Sequence, residues 1–243
     1  MTNDESVAEP EPEPAAGDGS VSRRELAVAR SLYTAKTRAE NRLQRFLDAA
    51  HELMNDGDSG KDFTVHEVVE RSGQSLRLFY QYFNGKYELL LALFEESVRS
   101  TTEVLRAQVA EEDDSLNRLH RFVVEYYRLC RPVPPDGTST PVPAAPAMVD
   151  FAQQLLTSHP AEAALAFEPL VSLFGDVLDA AAADGHIRAG LRNRPISAMV
   201  LEVIMFNAFS VAIGGDSARV DTTDLAEELW DVILNGVRSG DPL

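Results

Sequence analysis

Between Ser75 and Lys86 the chain sets an arginine, a glutamine, two tyrosines and a lysine within a single short stretch. The Arg77 guanidinium can donate two parallel hydrogen bonds to O6 and N7 of guanine, and the Gln81 amide can pair with adenine. Leu78 offers methyl groups either to a thymine methyl or to packing against the next helix. Tyr80 and Tyr82 each combine an apolar ring with a hydroxyl that reaches a phosphate oxygen, and Lys86 opens a helix start where free amides also attract phosphate. Thr64, Ser75 and Arg42 add two hydroxyls and a cation to the same candidate surface. An ordinary surface or core position is the alternative at each of them. Chemistry of another kind is poorly supplied. His51, His66, His120, His159 and His186 are scattered, Cys130 is alone, and no phosphate loop or metal-ligand pair occurs at usable spacing. These residues describe a binding protein and not an enzyme, with no cofactor and no metal.

The elements that must position them are legible. Thr64-Val65-His66-Glu67 is a capping box, in which hydroxyl and carboxylate satisfy orphan amides at a helix start. Ser72-Gly73 supplies the stop, because glycine accepts the left-handed conformation common at helix C-termini. Ser75 then caps a second short helix. Two short helices, 64–71 and 75–83, joined at a glycine turn form a helix-turn-helix, whose second helix can lie in a major groove. Leu76, Phe79 and Phe83 share one side of that helix, Arg77, Leu78 and Gln81 the other, with Tyr80 and Tyr82 on the flanks.

Net charge argues at first against a polyanionic partner: 22 Lys and Arg face 39 Asp and Glu, for −17. Distribution changes the picture. Residues 1–21 hold six acids and no Lys or Arg, residues 22–100 hold twelve of each sign, and the remainder holds ten basic against twenty-one acidic. Within Ser22 to Phe46, Arg23, Arg24, Arg30, Lys36, Arg38, Arg42 and Arg45 oppose only Glu25 and Glu40. A local basic patch can face DNA while an acidic body stays away; a solvated helix face is the plain alternative. The Glu-Pro repeats of 1–21 have almost nothing to bury and are expected to be a disordered tail, with the charge to compete with DNA for the basic patch.

Helical periodicity continues along the chain. Leu43, Phe46, Leu47, Ala50, Leu53 and Met54 mark a helix from about Thr37 to the Asn55–Gly60 loop, and Leu89, Leu90, Leu93, Phe94 and Val98 mark a longer one opening at Asn84. After the acidic break past Val109 come a segment ending at Arg131-Pro132, a proline-rich loop over 132–146, and helices near 147–157, 162–184, 195–213 and 223–238. No strand pattern competes, so the fold class is all-α. Three regions are expected: the tail 1–21, a DNA-binding head 22–97, and a helical body 98–243. No apolar run approaches the roughly 18–20 residues of a membrane span, and the N-terminus lacks the basic and apolar regions of a secretory signal. A cytoplasmic protein, nucleoid-associated when bound to DNA, is the expectation.

Residues 73–90, GQSLRLFYQYFNGKYELL, resemble the signature of the TetR family of bacterial transcription regulators. Gly73, Ser75, Tyr80, Phe83, Lys86, Glu88, Leu89 and Leu90 match that pattern outright, and Phe63 to Val69 is similar to the opening of the family's second helix. Leu78, Tyr82 and Asn84-Gly85 depart from its usual threonine, histidine and proline-serine, which bears on operator sequence and phosphate contacts more than on fold. The resemblance implies a head on a ligand-binding body that forms a homodimer through the last two helices. It also implies a double-stranded, palindromic DNA operator and a small-molecule effector that releases repression. Phe122, Tyr126, Tyr127, Phe151, Phe167, Phe174, Met205 and Phe209 are the candidate pocket lining, which would suit an apolar effector; plain core is the alternative for most of them. A helical scaffold with a degenerate head and a transcription activator are the competing readings.

Overall fold

The computed structural model describes residues 22–55, 63–130, 146–188, 193–213 and 222–237. The acidic tail, the Asn55–Gly60 loop beyond its first residue and nearly all of the proline-rich loop lie outside them. Contacts divide the chain into two units, residues 1–43 and 44–243. Helix α1 (Arg23–Asn55) carries the first unit's described residues and continues into the second. It begins well before Thr37, where the apolar stripe starts. Residues 23–42 are rich in alanine, arginine and other good helix formers, so propensity holds the backbone helical where no stripe announces it. In the first unit Lys36 pairs with Glu40 at 3.6 Å, and Leu26, Leu32 and Tyr33 are exposed together with the basic side chains.

The second unit contains α2 (Val65–Ser72), α3 (Leu76–Tyr82), α4 (Lys86–Ala110), α5 (Ser115–Cys130), α6 (Pro146–Ser158), α7 (Pro160–Ala183), α8 (Asn193–Ile213) and α9 (Thr222–Val237). Apart from an isolated bridge at Ile187, no β-structure forms among the described residues. Helix α7 is the centre of the body: α4, α5, α6 and α8 all pack on it, while α5 also meets α8 and α9. Their shared core is aromatic and aliphatic, with Leu105, Leu119, Phe122, Tyr127, Leu155, Leu170 and Phe174 buried. Phe122 stacks on Phe174 with ring centroids 4.6 Å apart. At the acidic break, the Asp114 carboxylate accepts from the Leu116 and Asn117 amides at 2.9 and 3.0 Å and caps α5, so the acids that stop one helix start the next.

Residue 97, the expected limit of the head, falls inside the continuous α4. The expected head and body therefore share one continuous helix.

Candidate nucleic-acid interface and cavities

Helix α2 opens as its sequence requires. The Glu67 amide donates to Thr64 Oγ1 at 3.3 Å, and the Thr64 amide donates to Glu67 Oε2 at 2.6 Å. Gly73 ends it at φ 65°, ψ 25°, its amide donating to the Glu70 carbonyl at 3.1 Å. Two residues later Ser75 Oγ accepts the Leu78 amide at 3.2 Å and starts α3. Thr64 and Ser75 thus set the two helices in place, and both residues remain exposed.

One face of α3 is anchored in aromatic packing. Phe79 is fully buried and Phe83 nearly so; the Phe46 and Phe79 rings meet edge-on at 5.4 Å, and Phe79 and Phe83 lie at 5.3 Å. Such pairs contribute about 0.5–1.5 kcal/mol each beyond the area they bury. They hold a seven-residue helix that is too short to be stable by itself. On the opposite face Arg77, Tyr80 and Gln81 are exposed, at the i, i+3 and i+4 spacing that puts them side by side. Leu78 and Tyr82 are half-buried, the Tyr82 ring 6.3 Å from Phe46.

The junction into α4 differs from expectation. Gly85, not Asn84, occupies the N-cap position. Asn84 lies one residue earlier, and Glu88 reaches back to it, accepting from the Asn84 amide at 2.8 Å and from Nδ2 at 2.5 Å. These bonds hold the Glu88 carboxyl below its ordinary value, the side-chain bond from Asn84 foremost. Lys86 turns toward α2: its Nζ donates to the Phe63 carbonyl at 2.6 Å and lies 4.2 Å from the centre of the Phe63 ring. Arg42 belongs to the first unit, where it is exposed on α1.

Tyr87, in the first turn of α4, ties that helix to α7. Its hydroxyl donates to Glu162 Oε2 on α7 at 2.6 Å, and its ring lies 4.8 Å from His159 and 5.7 Å from Phe151. Desolvation, then the hydrogen bond and charge of Glu162, push the Tyr87 phenol up to about 12, so it stays a donor across the neutral range. Nothing in its sequence context marked Tyr87, because its partner lies 75 positions away.

Among the described residues, two cavities stand out between helices α4 to α8. The larger, about 450 Å³, lies between α6, α7 and α8 and is lined by Leu156, Pro160, Ala163, Ala164, Phe167, Val171, Ala198, Leu201 and Met205, with Glu168, Arg194 and Glu202 as its charged groups. That volume is within the roughly 300–1,000 Å³ usual for small-molecule sites. The smaller, about 70 Å³, touches Phe94, Tyr126, Cys130, Met148 and Leu170 and shares Phe167 and Met205 with the first. Burial pushes the Cys130 thiol up to about 12, offset in part by its hydrogen bond with Tyr126. Phe122, Tyr127, Phe151 and Phe174 are buried and are named in the lining of neither cavity. The side chain of Phe209 lies outside the described residues. Ala163, Ala164 and Ala198 are among the residues facing the larger space, and side chains this short leave room between helices, whereas aromatic ones fill it.

Residues 46–93 match the family model described as bacterial regulatory proteins, tetR family. No curated protein matches the chain in sequence. Its fold is similar to that of a TetR-family transcriptional regulator from Pectobacterium atrosepticum (TM-score 0.62, 15% identity, 85% of this chain and 98% of that one). It is also similar to FadR from Bacillus subtilis in complex with stearoyl-CoA (0.59, 16%, 80% and 99%). A third similar structure is the TetR-family repressor FadR from Thermus thermophilus in complex with lauroyl-CoA (0.59, 18%, 82% and 97%).

Proposed function

We propose that this chain, a TetR-type transcription regulator by its helix-turn-helix segment and its all-helical fold, is a homodimeric repressor released from a palindromic operator by an apolar effector. The observation that carries the reading is the division of α3 into an aromatic anchor, Phe79 and Phe83, and an exposed face of Arg77, Tyr80 and Gln81. A helix held rigidly on one side and armed with bidentate donors on the other suits readout in a major groove.

Dimerisation has its own support. Met199, Val203 and Phe206 on α8 and Val232 on α9 are exposed although large and apolar. The three on α8 recur at i, i+4 and i+7, which makes one stripe. A stripe of this kind on the last two helices suits a four-helix interface about a two-fold axis. Two α3 helices so related would read half-sites about one DNA turn, or a multiple of it, apart.

The effector reading rests on the α6–α7–α8 cleft, and the acyl-CoA complexes of the two FadR proteins are consistent with a ligand of largely apolar body. Release requires that the effector bind the DNA-free arrangement better than the DNA-bound one. Pro160 and Ala163 of the cleft flank Glu162 in the first turn of α7. A ligand that shifts this turn therefore displaces the partner of Tyr87, and with it the start of α4 directly after the recognition helix. The test is selection of bound sequences from a random DNA pool together with the mass of the complex in solution. A palindrome bound by an even number of chains is expected; enrichment of no sequence at low salt would overturn the reading.

A further inference from the structure

The mouth of the α6–α7–α8 cleft carries one cation and two anions. Arg194 is already engaged, its Nη2 donating to Glu168 Oε1 at 3.1 Å. Glu202, on α8 and exposed, has no ion-pair or hydrogen-bond partner among the described residues. The charge left uncompensated at the opening is therefore negative. The surroundings reinforce it, since residues 101–243 hold ten basic against twenty-one acidic side chains, and a field of one sign concentrates ligands of the other. The walls behind these charges are hydrocarbon, with Leu156, Phe167, Leu201 and Met205 among them.

We infer that the cleft binds an apolar amine, an aliphatic or aromatic body carrying a protonated nitrogen that Glu202 holds at the mouth. The body enters between α7 and α8 because Ala163, Ala164 and Ala198 leave the space. The nitrogen stays at the rim, where Glu202 is exposed in the single subunit. A carboxylate or phosphate of the same size meets Glu168 and Glu202, with the Arg194 guanidinium already shared. This assignment deepens the effector reading above, and it departs from the anionic acyl-CoA ligands named for the FadR structures.

The experiment is calorimetric titration of the full chain, without DNA, with n-decylamine, n-decanol and n-decanoate below their aggregation concentrations. The amine is expected to bind most tightly and decanoate least. In Glu202→Gln the preference for amine over alcohol falls by about two- to five-fold, the range for an exposed ion pair, and in the unmodified chain the same preference shrinks as salt is raised. Ala198→Trp, which fills the cleft, weakens all three probes. Decanoate binding as tightly as the amine, an unchanged ranking in Glu202→Gln, unchanged binding in Ala198→Trp, or no binding by any probe would each overturn the assignment. If the amine binds as expected while operator affinity is unaffected by it, the amine site stands and repression by effector release fails.

Discussion

Tyr87 and Glu88 are adjacent residues with opposite allegiances. Glu88 closes on Asn84 within the head, while Tyr87 reaches across to Glu162 in the body. Replacing Tyr87 with Phe keeps the ring against His159 and Phe151 but deletes the 2.6 Å bond to a carboxylate, at a cost in stability of about 1–2 kcal/mol. The larger expected effect is on coupling: the fall in operator affinity on adding effector should be reduced in Tyr87→Phe, measured by fluorescence anisotropy with and without ligand. Glu88 makes a pH-dependent contribution of known sign. Its folded pKa lies below the ordinary 4.5, so its stabilisation is present above that value and is lost as pH falls through the folded pKa. The melting-temperature gap between the unmodified chain and Glu88→Gln is therefore expected to be open at pH 6 and to narrow below about pH 4. A gap constant over that range would remove the assignment. At this scale the sequence was legible where partners are near in the chain, as at Thr64–Glu67. It was silent where they are distant, as for Tyr87 with Glu162 and for Lys86 with the Phe63 carbonyl.

Helix boundaries followed from local chemistry wherever a cap was written in side chains. Thr64, Gly73 and Ser75 delimit α2 and α3 where their types place them, and Asp114 sets the start of α5. The departures share a cause. Asn84 is a good capping residue by type, but Glu88 claims its amide and side chain, and the N-cap moves to Gly85. The start of α1 escaped notice because exposed helix formers leave no hydrophobic period to read. Gly73 gives the element scale its test. Its φ of 65° is one that a residue with a Cβ adopts at a cost, and an added Cβ would meet nothing within 4 Å. Gly73→Ala is thus expected to destabilise the fold by about 1–2 kcal/mol through the backbone alone, read as a lower denaturant midpoint with unchanged slope. The cavities were the hardest to foresee: of the candidate lining residues, Tyr126, Phe167 and Met205 face one or both openings, whereas Phe122, Tyr127, Phe151 and Phe174 are buried in the core, because an aromatic side chain at helical spacing fits either setting.

At the scale of the whole chain, charge is unevenly distributed. The basic side chains of 22–46 contrast with an acidic remainder, and the exposed apolar stripe of Met199, Val203 and Phe206 lies on α8. Placing a charge in that stripe should break a two-fold interface while leaving the subunit folded, because Val203 is 51% exposed. Val203→Asp is accordingly expected to weaken self-association at least about tenfold in sedimentation velocity, since an unpaired charge in a desolvated interface costs more than 1.4 kcal/mol; an unchanged molecular mass would place the interface elsewhere. The order of helices and the all-α class were legible because most elements carry the 3.6-residue period over part of their length, whereas the division of contacts between residues 43 and 44 has no counterpart in that pattern. The central claim is that the exposed face of α3 reads bases, and comparing the sequences selected from a random DNA pool by the unmodified chain and by Arg77→Ala tests it most directly. The account predicts a palindromic preference that is relaxed at one position per half-site in the variant, with the remaining positions retained. An identical preference from both proteins would contradict it.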